Sequence, residues 1–513
     1  MTPFDWQLNR TNPCWISALN RRYTRPLLLA CLVAGLFGCA AMPLHDRPEF
    51  SASQWAPATV DRAWTPPAAD RAVLESDMRA SAGAISLAAD VNASQTYDLR
   101  ALIGLALATN PATRADWQAA RSASYEWARS RAPYYPLINL DSQNGYERII
   151  DQVPNHWGTL KNWQSTSLLS LNYDLIDFGR RDAASASARE DLLAANFAFN
   201  RSLQTVVYNV ERAFYLFDAS RAQITAAQTV VRLATTDLRA VQRRHDLGLA
   251  TGPDLLLARQ RDAQAEYDLQ NVELAMRDAQ ADLALALGLN PTQLPRIADF
   301  PSQSLPTTLG PAIDELLKRA AADRPDLAAD AAQLQGKEAQ VALAHADMFP
   351  TLGASAYYGS HAFNYGLSNP PTPYYTAMAP EYAATVTLKW DVFAGFAHVN
   401  AIGEAQAGRD QARAELQQTT LEVASEVWRA YYAFQTAMGK YQYAQALLQA
   451  SQSSYDSNFK SFGHGLVNII DLLAAERDLA TAQYTIIQSR ADVLVAAASV
   501  AYSTGAISAF PPR

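Results

Sequence analysis

Apolar positions keep a helical spacing from Arg180 to Asp246 and again from Ala397 to Phe462, each time over about 67 residues without a proline. At ~1.5 Å per residue each stretch would reach about 100 Å, too long for a globular domain, so the pattern predicts two coiled-coil struts. Both struts break at a glycine and then resume. The first turn reads Leu247-Gly248-Leu249-Ala250-Thr251-Gly252-Pro253-Asp254, and the second His464-Gly465-Leu466-Val467-Asn468-Ile469-Ile470-Asp471. Glycine suits a left-handed helix end, and a carboxylate suits the first turn of the next helix, so both turns predict helical hairpins whose aspartates cap the return legs. Those legs run from Asp254 to Leu287 and from Asp471 to Ser503.

Elsewhere the period falls to two. Tyr382, Ala384, Val386, Leu388 and Trp390 alternate with Ala383, Thr385, Thr387, Lys389 and Asp391, and Leu169, Leu171 and Tyr173 alternate with Ser170 and Asn172. Each is a strand with one apolar and one polar face. Paired with weaker candidates upstream, they predict β-hairpins over about 137–173 and 351–390, with strands of about ten residues, which suits a tilted outer-membrane strand. His156-Trp157-Gly158 and Ser368-Asn369-Pro370-Pro371 supply the loops. Tyr173 and Trp390 close their strands where an interfacial aromatic girdle would sit. Residues 40–98 are rich in Pro, Ala and Ser and read as an extended wrap, and a helix begins near Asp98 and continues past Asn110-Pro111 to Arg131. Gly288 to Arg324 is interrupted by five prolines, after which Pro325 to Asp347 is helical again. Two shorter helices placed end to end can therefore line one long strut.

The chain is an internal duplication. Asn110-Pro111 and Pro136 recur as Arg324-Pro325 and Pro350, 214 positions later; Val210, Ala213, Phe217, Gly248, Asp254 and Gly288 recur as Val427, Ala430, Phe434, Gly465, Asp471 and Gly505, 217 later. The first repeat spans 98–303 and the second 304–513. Four strands from one chain cannot close a barrel wide enough to pass a solute, and an open edge is not tolerated in lipid, so several copies must share one barrel.

Composition changes this picture little. Of 513 residues 49% are apolar, and the formal net charge is −8, with no basic stripe to suggest nucleic acid. Cys14, Cys31 and Cys39 all lie near the N-terminus, so the remainder has no disulfide or cysteine metal site. Arg21, Arg22 and Arg25 precede an apolar run from Pro26 to Phe37, too short to span a bilayer, which predicts a signal peptide over 1–38. No run of 18 apolar residues occurs elsewhere, which leaves β-strands as the membrane-crossing elements. The seven histidines are scattered without ligand spacing, and no phosphate loop, nucleophile elbow or dinucleotide fingerprint is present. No enzymatic activity and no metal or other cofactor is expected.

Leu107-Ala108-Thr109-Asn110-Pro111, Tyr135-Pro136-Leu137, Asp177-Phe178-Gly179-Arg180, both turns, and Leu285-Ala286-Leu287-Gly288 resemble, in this order and doubled, the TolC family of outer-membrane factors. Leu36-Phe37-Gly38-Cys39 resembles a lipobox, although Phe37 stands where a small residue is usual, and with Asp46-Arg47-Pro48 it points to the lipoprotein branch, with a lipidated tether over 39–97. The resemblance implies a transmembrane β-barrel continuous with a long α-helical coiled-coil barrel: a homotrimer, twelve strands with four from each chain, anchored by a covalent lipid at Cys39 and projecting a tunnel into the periplasm. It implies a passive exit duct of a tripartite efflux system for small molecules such as drugs, toxic compounds or metal ions. The partners would be a periplasmic adaptor, an inner-membrane transporter and the outer-membrane lipids. Leu247, Gly248, Leu249, His464, Gly465 and Leu466 match the adaptor-contacting tip, and Asp254 and Asp471 match carboxylates at its constriction. The family's latch has a tyrosine and an arginine where this chain has Phe462 and Val467, and a further acid where it has Ala474, so that bonding network is missing. Ile470 and the two aspartates are left as gate residues, a hydrophobic collar beside an acidic ring. A protein-secretion duct shares the architecture. A lipid-anchored, non-conducting coiled-coil scaffold is the alternative from another class.

Overall fold

The computed structural model describes residues 71–72, 76, 78–79, 95–153, 156–298, 305, 312–367, 373 and 375–507. The signal peptide and Cys39 lie outside them, as does most of the tether, whose described positions between 71 and 79 are helical rather than extended. Residues 1–84 and 85–513 separate into two units, and the second carries every element below.

In that unit a short strand β1 (Thr96–Tyr97) leads to α1 (Leu99–Thr109) and α2 (Pro111–Ser130), then β2 (Leu137–Val153), β3 (His156–Ile176), α3 (Arg180–Asp246) and α4 (Gly252–Leu287). After β4 (Arg296–Ile297), which pairs parallel with β1, the order repeats: α5 (Ile313–Asp323), α6 (Pro325–Ala346), β5 (Thr351–Leu367), β6 (Tyr375–Lys389), α7 (Ala397–Gly463) and α8 (Ile469–Ser503). The long helices α3 and α7 have 67 residues each. Both begin from a left-handed pair at the foot of a hairpin, Phe178-Gly179 in one repeat and Gly395-Phe396 in the other.

Packing follows the duplication. α4 and α6 line successive parts of α3, and α6 also packs on α7, whose other stretch is covered by α8. In the first repeat Val210, Phe214 and Phe217 of α3 close on Leu102 of α1 and Leu283 of α4; in the second Val427 and Phe434 of α7 close on Leu316 of α5 and Val493 of α8. The helix ends are locked alike. Gly288 ends α4 at φ +70°, so near α2 that a Cβ there would come within 2.8 Å of Asn110 Cα, and a Cβ on Gly505 would come within 2.9 Å of Asp323 O. Asn110 Nδ2 donates to Ala286 O (3.1 Å), while Arg324 Nη1 donates to Ser503 O (3.2 Å) at the equivalent joint.

All four long strands form one antiparallel sheet in the order β2-β3-β5-β6, so the two hairpins pair through their inner strands. The strands have 17, 21, 17 and 15 residues, longer than the ten expected. Alternation marks only the part with one apolar face; beyond it polar residues such as Glu147 and Asn162 still pair across the ladder, and the backbone bonds need no apolar face to continue. For the same reason His156-Trp157-Gly158 is not a loop: these residues pair with Val153, Gln152 and Asp151.

Candidate functional site

Two regions carry the predicted functional residues: the sheet and the two turns at the far ends of α3 and α7. Across the sheet Leu140, Leu169, Tyr358 and Tyr382 form one rung of directly paired residues on one face, 52–74% exposed in the single chain. The opposite face presents Asn172, Ser355 and Thr385, with the Ser355 and Thr385 hydroxyls 2.7 Å apart. Among the described residues nothing covers this apolar rung. Tyr173 and Trp390 both stand at the helix end of the sheet; the Trp390 indole donates to Met348 O (3.1 Å), and Arg181 lies 5.8 Å from the Tyr173 ring. A second aromatic pair was missed in the sequence. Tyr146 and Trp163 are directly opposite each other toward the other end, their rings 5.8 Å apart, and only the register reveals that they meet. Trp163 and Tyr173 are separated by about 33 Å along the strand, about 25 Å of height at the ~40° tilt of an outer-membrane barrel.

The turns are two copies of one motif. Leu249 N–H donates to Arg244 O (2.7 Å) and Leu466 N–H to Ser461 O (2.9 Å), six-residue closures that Gly248 and Gly465 permit at φ +71° and +75°. Each return helix has its own N-cap. Thr251 Oγ1 accepts from Asp254 N–H (3.3 Å), and Asn468 Oδ1 accepts from Asp471 N–H (2.9 Å). Asp254 completes a capping box by accepting from Thr251 N–H (2.8 Å) and Oγ1–H (2.7 Å). Those two bonds, with a smaller pull from Arg244, hold its carboxyl below the usual carboxylate range. The aspartates are therefore not the N-caps expected from the sequence: Thr251 and Asn468 hold those positions, Asp254 closes its box from the third residue of α4, and the Asp471 carboxylate, at the same place in α8, is exposed.

Leu247, Leu249 and Leu466 project with 65–77% of their surface exposed, and His464 ends α7. Ile470 is 63% exposed beside a cleft of about 250 Å³ between α4 and α8, lined by Leu257, Leu473 and Ala474 and by Arg261 and Arg477. Phe462 and Val467, the two positions that remove the familiar latch, are instead packed in a core shared by both turns with Val241, Leu255, Ile469 and Leu472. A basic residue from the first turn completes it. Arg244 Nη1 donates to Phe462 O (2.6 Å), and its guanidinium lies 4.7 Å from the Phe462 ring centre. The sequence offered one signal, the run Arg243-Arg244-His245 in the last turn of α3, but nothing to show that one of them crosses to another helix end.

Among the described residues no helix is long and apolar enough to cross a membrane, a statement that does not bear on the sheet. The description "Outer membrane efflux protein" fits a family whose pattern matches residues 102–289 and 316–506, one match to each repeat. The chain is similar to protein CyaE of Bordetella pertussis, 27% identical over 412 residues, which cover 79% of this chain and 83% of that protein. It is also similar to the pyoverdine export outer membrane protein OpmQ of Pseudomonas aeruginosa, 28% identical with coverage of 63% and 66%. A crystal structure of CusC superposes with a TM-score of 0.69 at 20% identity, covering 79% of this chain and 92% of that one, and so shares the fold.

Proposed function

The chain belongs to the outer membrane efflux protein family, non-enzymatic transport ducts, and from that premise we propose that three copies assemble into a passive exit duct in the outer membrane. The observation that carries the proposal is the matching pair of open edges. β2 and β6 each lack a strand partner on one side among the described residues, and α2 and α7 flank the helical layer in the same way. In lipid each unpaired backbone group costs several kcal/mol, so the edges must meet those of other copies. Three chains give twelve strands, with the Leu140–Tyr382 face toward lipid and the Asn172–Thr385 face toward a wet lumen.

Tyr173 and Trp390 then belong to the periplasmic girdle and Tyr146 and Trp163 to the outer one. The six turns form the periplasmic mouth. Leu247, Gly248, Leu249, His464, Gly465 and Leu466 offer the adaptor a surface of exposed leucines over glycines, and the adaptor links the duct to an inner-membrane transporter. Ile470 and Asp471 narrow the mouth, with Asp254 beside them. Cys39 carries the lipid anchor. The cargo class is small molecules, including drugs, toxic compounds or metal ions, in keeping with a relative named for pyoverdine export.

Deleting the gene should raise accumulation of a fluorescent efflux dye, and the wild-type gene should restore export. A Leu247→Glu, Leu466→Glu double variant should reach the outer membrane without restoring it. Equal dye accumulation in parent and deletion strains would reject the duct. Cys39→Ala should abolish incorporation of labelled palmitate, and retained label would remove the anchor assignment.

A further inference from the structure

Behind the turns, four helices each send one polar side chain to the same place. Asp237 of α3 and Glu476 of α8 are fully buried, 0% exposed. Tyr455 of α7 donates its hydroxyl to Asp237 Oδ1 (3.3 Å), and Arg261 of α4 donates to Glu476 Oε1 (3.3 Å). One oxygen of each acid, Asp237 Oδ2 and Glu476 Oε2, is left without a donor, although the two carboxyls lie within hydrogen-bonding reach of each other. Two acceptors cannot bond unless one carries a proton. With two acids and one arginine, the cluster balances its charge when it holds one shared proton.

The remaining groups do not change that count. α7 adds Asp456 near Tyr455, and α4 adds Asp262, whose carboxylate already accepts from Thr235 Oγ1 (2.8 Å). Burial raises both acids, and Glu476 beside Asp237 pushes that carboxyl further, to about 7.

We propose that the Asp237–Glu476 pair is a proton-operated joint: with its shared proton it clamps the four helices behind the tip, and loss of that proton to water leaves two buried carboxylates that push α3 and α8 apart and loosen the mouth. The position suits the task. Asp237 and Tyr455 lie about two turns before the ends of their helices, and Arg261 and Glu476 about two turns after the start of theirs, roughly 10–14 Å behind the reversals. The clamp therefore holds both hairpins where they must part for solute to leave.

The sign follows from the raised folded values. The folded pair keeps its proton at every pH below about 7, whereas the unfolded Asp releases it above 3.8, so the clamp is complete in acid and is lost as pH rises through about 7. A neutral amide in place of Asp237 keeps a donor to Glu476 and cannot titrate.

The inference rests on the duct reading above, and two measurements on the full-length protein separate them. Infrared difference spectra from pH 5 to 9 should show a protonated-carboxyl carbonyl band disappearing near neutrality, absent in both Asp237→Asn and Glu476→Gln. In planar bilayers the wild-type conductance should rise several-fold over that range, while Asp237→Asn stays near the low-pH level throughout. A band that is unchanged by both substitutions, or wild-type and Asp237→Asn conductance profiles that superimpose, would overturn the joint. No conductance at any pH, with the band still titrating, would overturn the duct reading instead and confirm the acid pair.

Discussion

At the residue scale the tip is held by chemistry that composition does not display. Phe462 and Val467 signal the loss of a polar latch, yet Phe462 supplies both a ring and a carbonyl to Arg244. The two are 218 positions apart, and no local spacing could pair them. The buried acids were hidden for a related reason, since a single Asp or Glu on a long amphipathic helix normally faces water. Arg244→Ala removes a charged cap on the α7 C-terminus and a cation–π contact, a local cost of about 1–2 kcal/mol. Hydrogen exchange should accelerate at 460–466 and not at 99–109, and Arg244→Lys should restore part of the protection, keeping the charge without the planar fork. At the other turn, Thr251→Ala removes the box around Asp254 at about 1 kcal/mol. Because that carboxyl is depressed by the box, its contribution is present above pH 3.8 and fades as pH falls further, so wild type and Thr251→Ala should converge in tip protection in strong acid.

At the element scale, whatever repeats was legible and whatever ends irregularly was not. The helical period located both 67-residue helices, and the offset between copies located both reversals. The strand ends differ from the expected ones because β3 continues through 156–164, where polar and apolar residues no longer alternate. Two kinds of glycine separate cleanly in the structure. Gly248 reverses the chain in open space, so Gly248→Ala costs only the left-handed penalty of about 1 kcal/mol. Gly288 adds a backbone contact to the same penalty, and Gly288→Ala should cost about 2–4 kcal/mol as Asn110 is displaced. Gly505→Ala should behave as Gly288→Ala does, because the second repeat builds the same joint. Thermal melts followed by helical circular dichroism should rank both below Gly248→Ala; equal melting points for all three would contradict the shared joint.

At the scale of the whole molecule, the proposed duct makes one chain a section of its wall. Its sheet has an apolar and a polar face, its outer strands lack a further partner among the described residues, and its helical layer carries two equivalent turns. The proposal that several copies share one barrel rests on four strands and the rules of lipid solvation, and the proposed number, three, on the family resemblance. Native mass spectrometry of the detergent-extracted protein should give three chains per particle, and a monomer at micromolar concentration would contradict it. The central claim is that the turns close a conducting tunnel, and single-channel recording in planar bilayers tests it most directly. The wild type should conduct weakly with a preference for cations, Ile470→Gly should raise the conductance several-fold, and Asp471→Ala should reduce the cation preference. A wild type that never conducts, or conductance and selectivity unchanged in both variants, would contradict it.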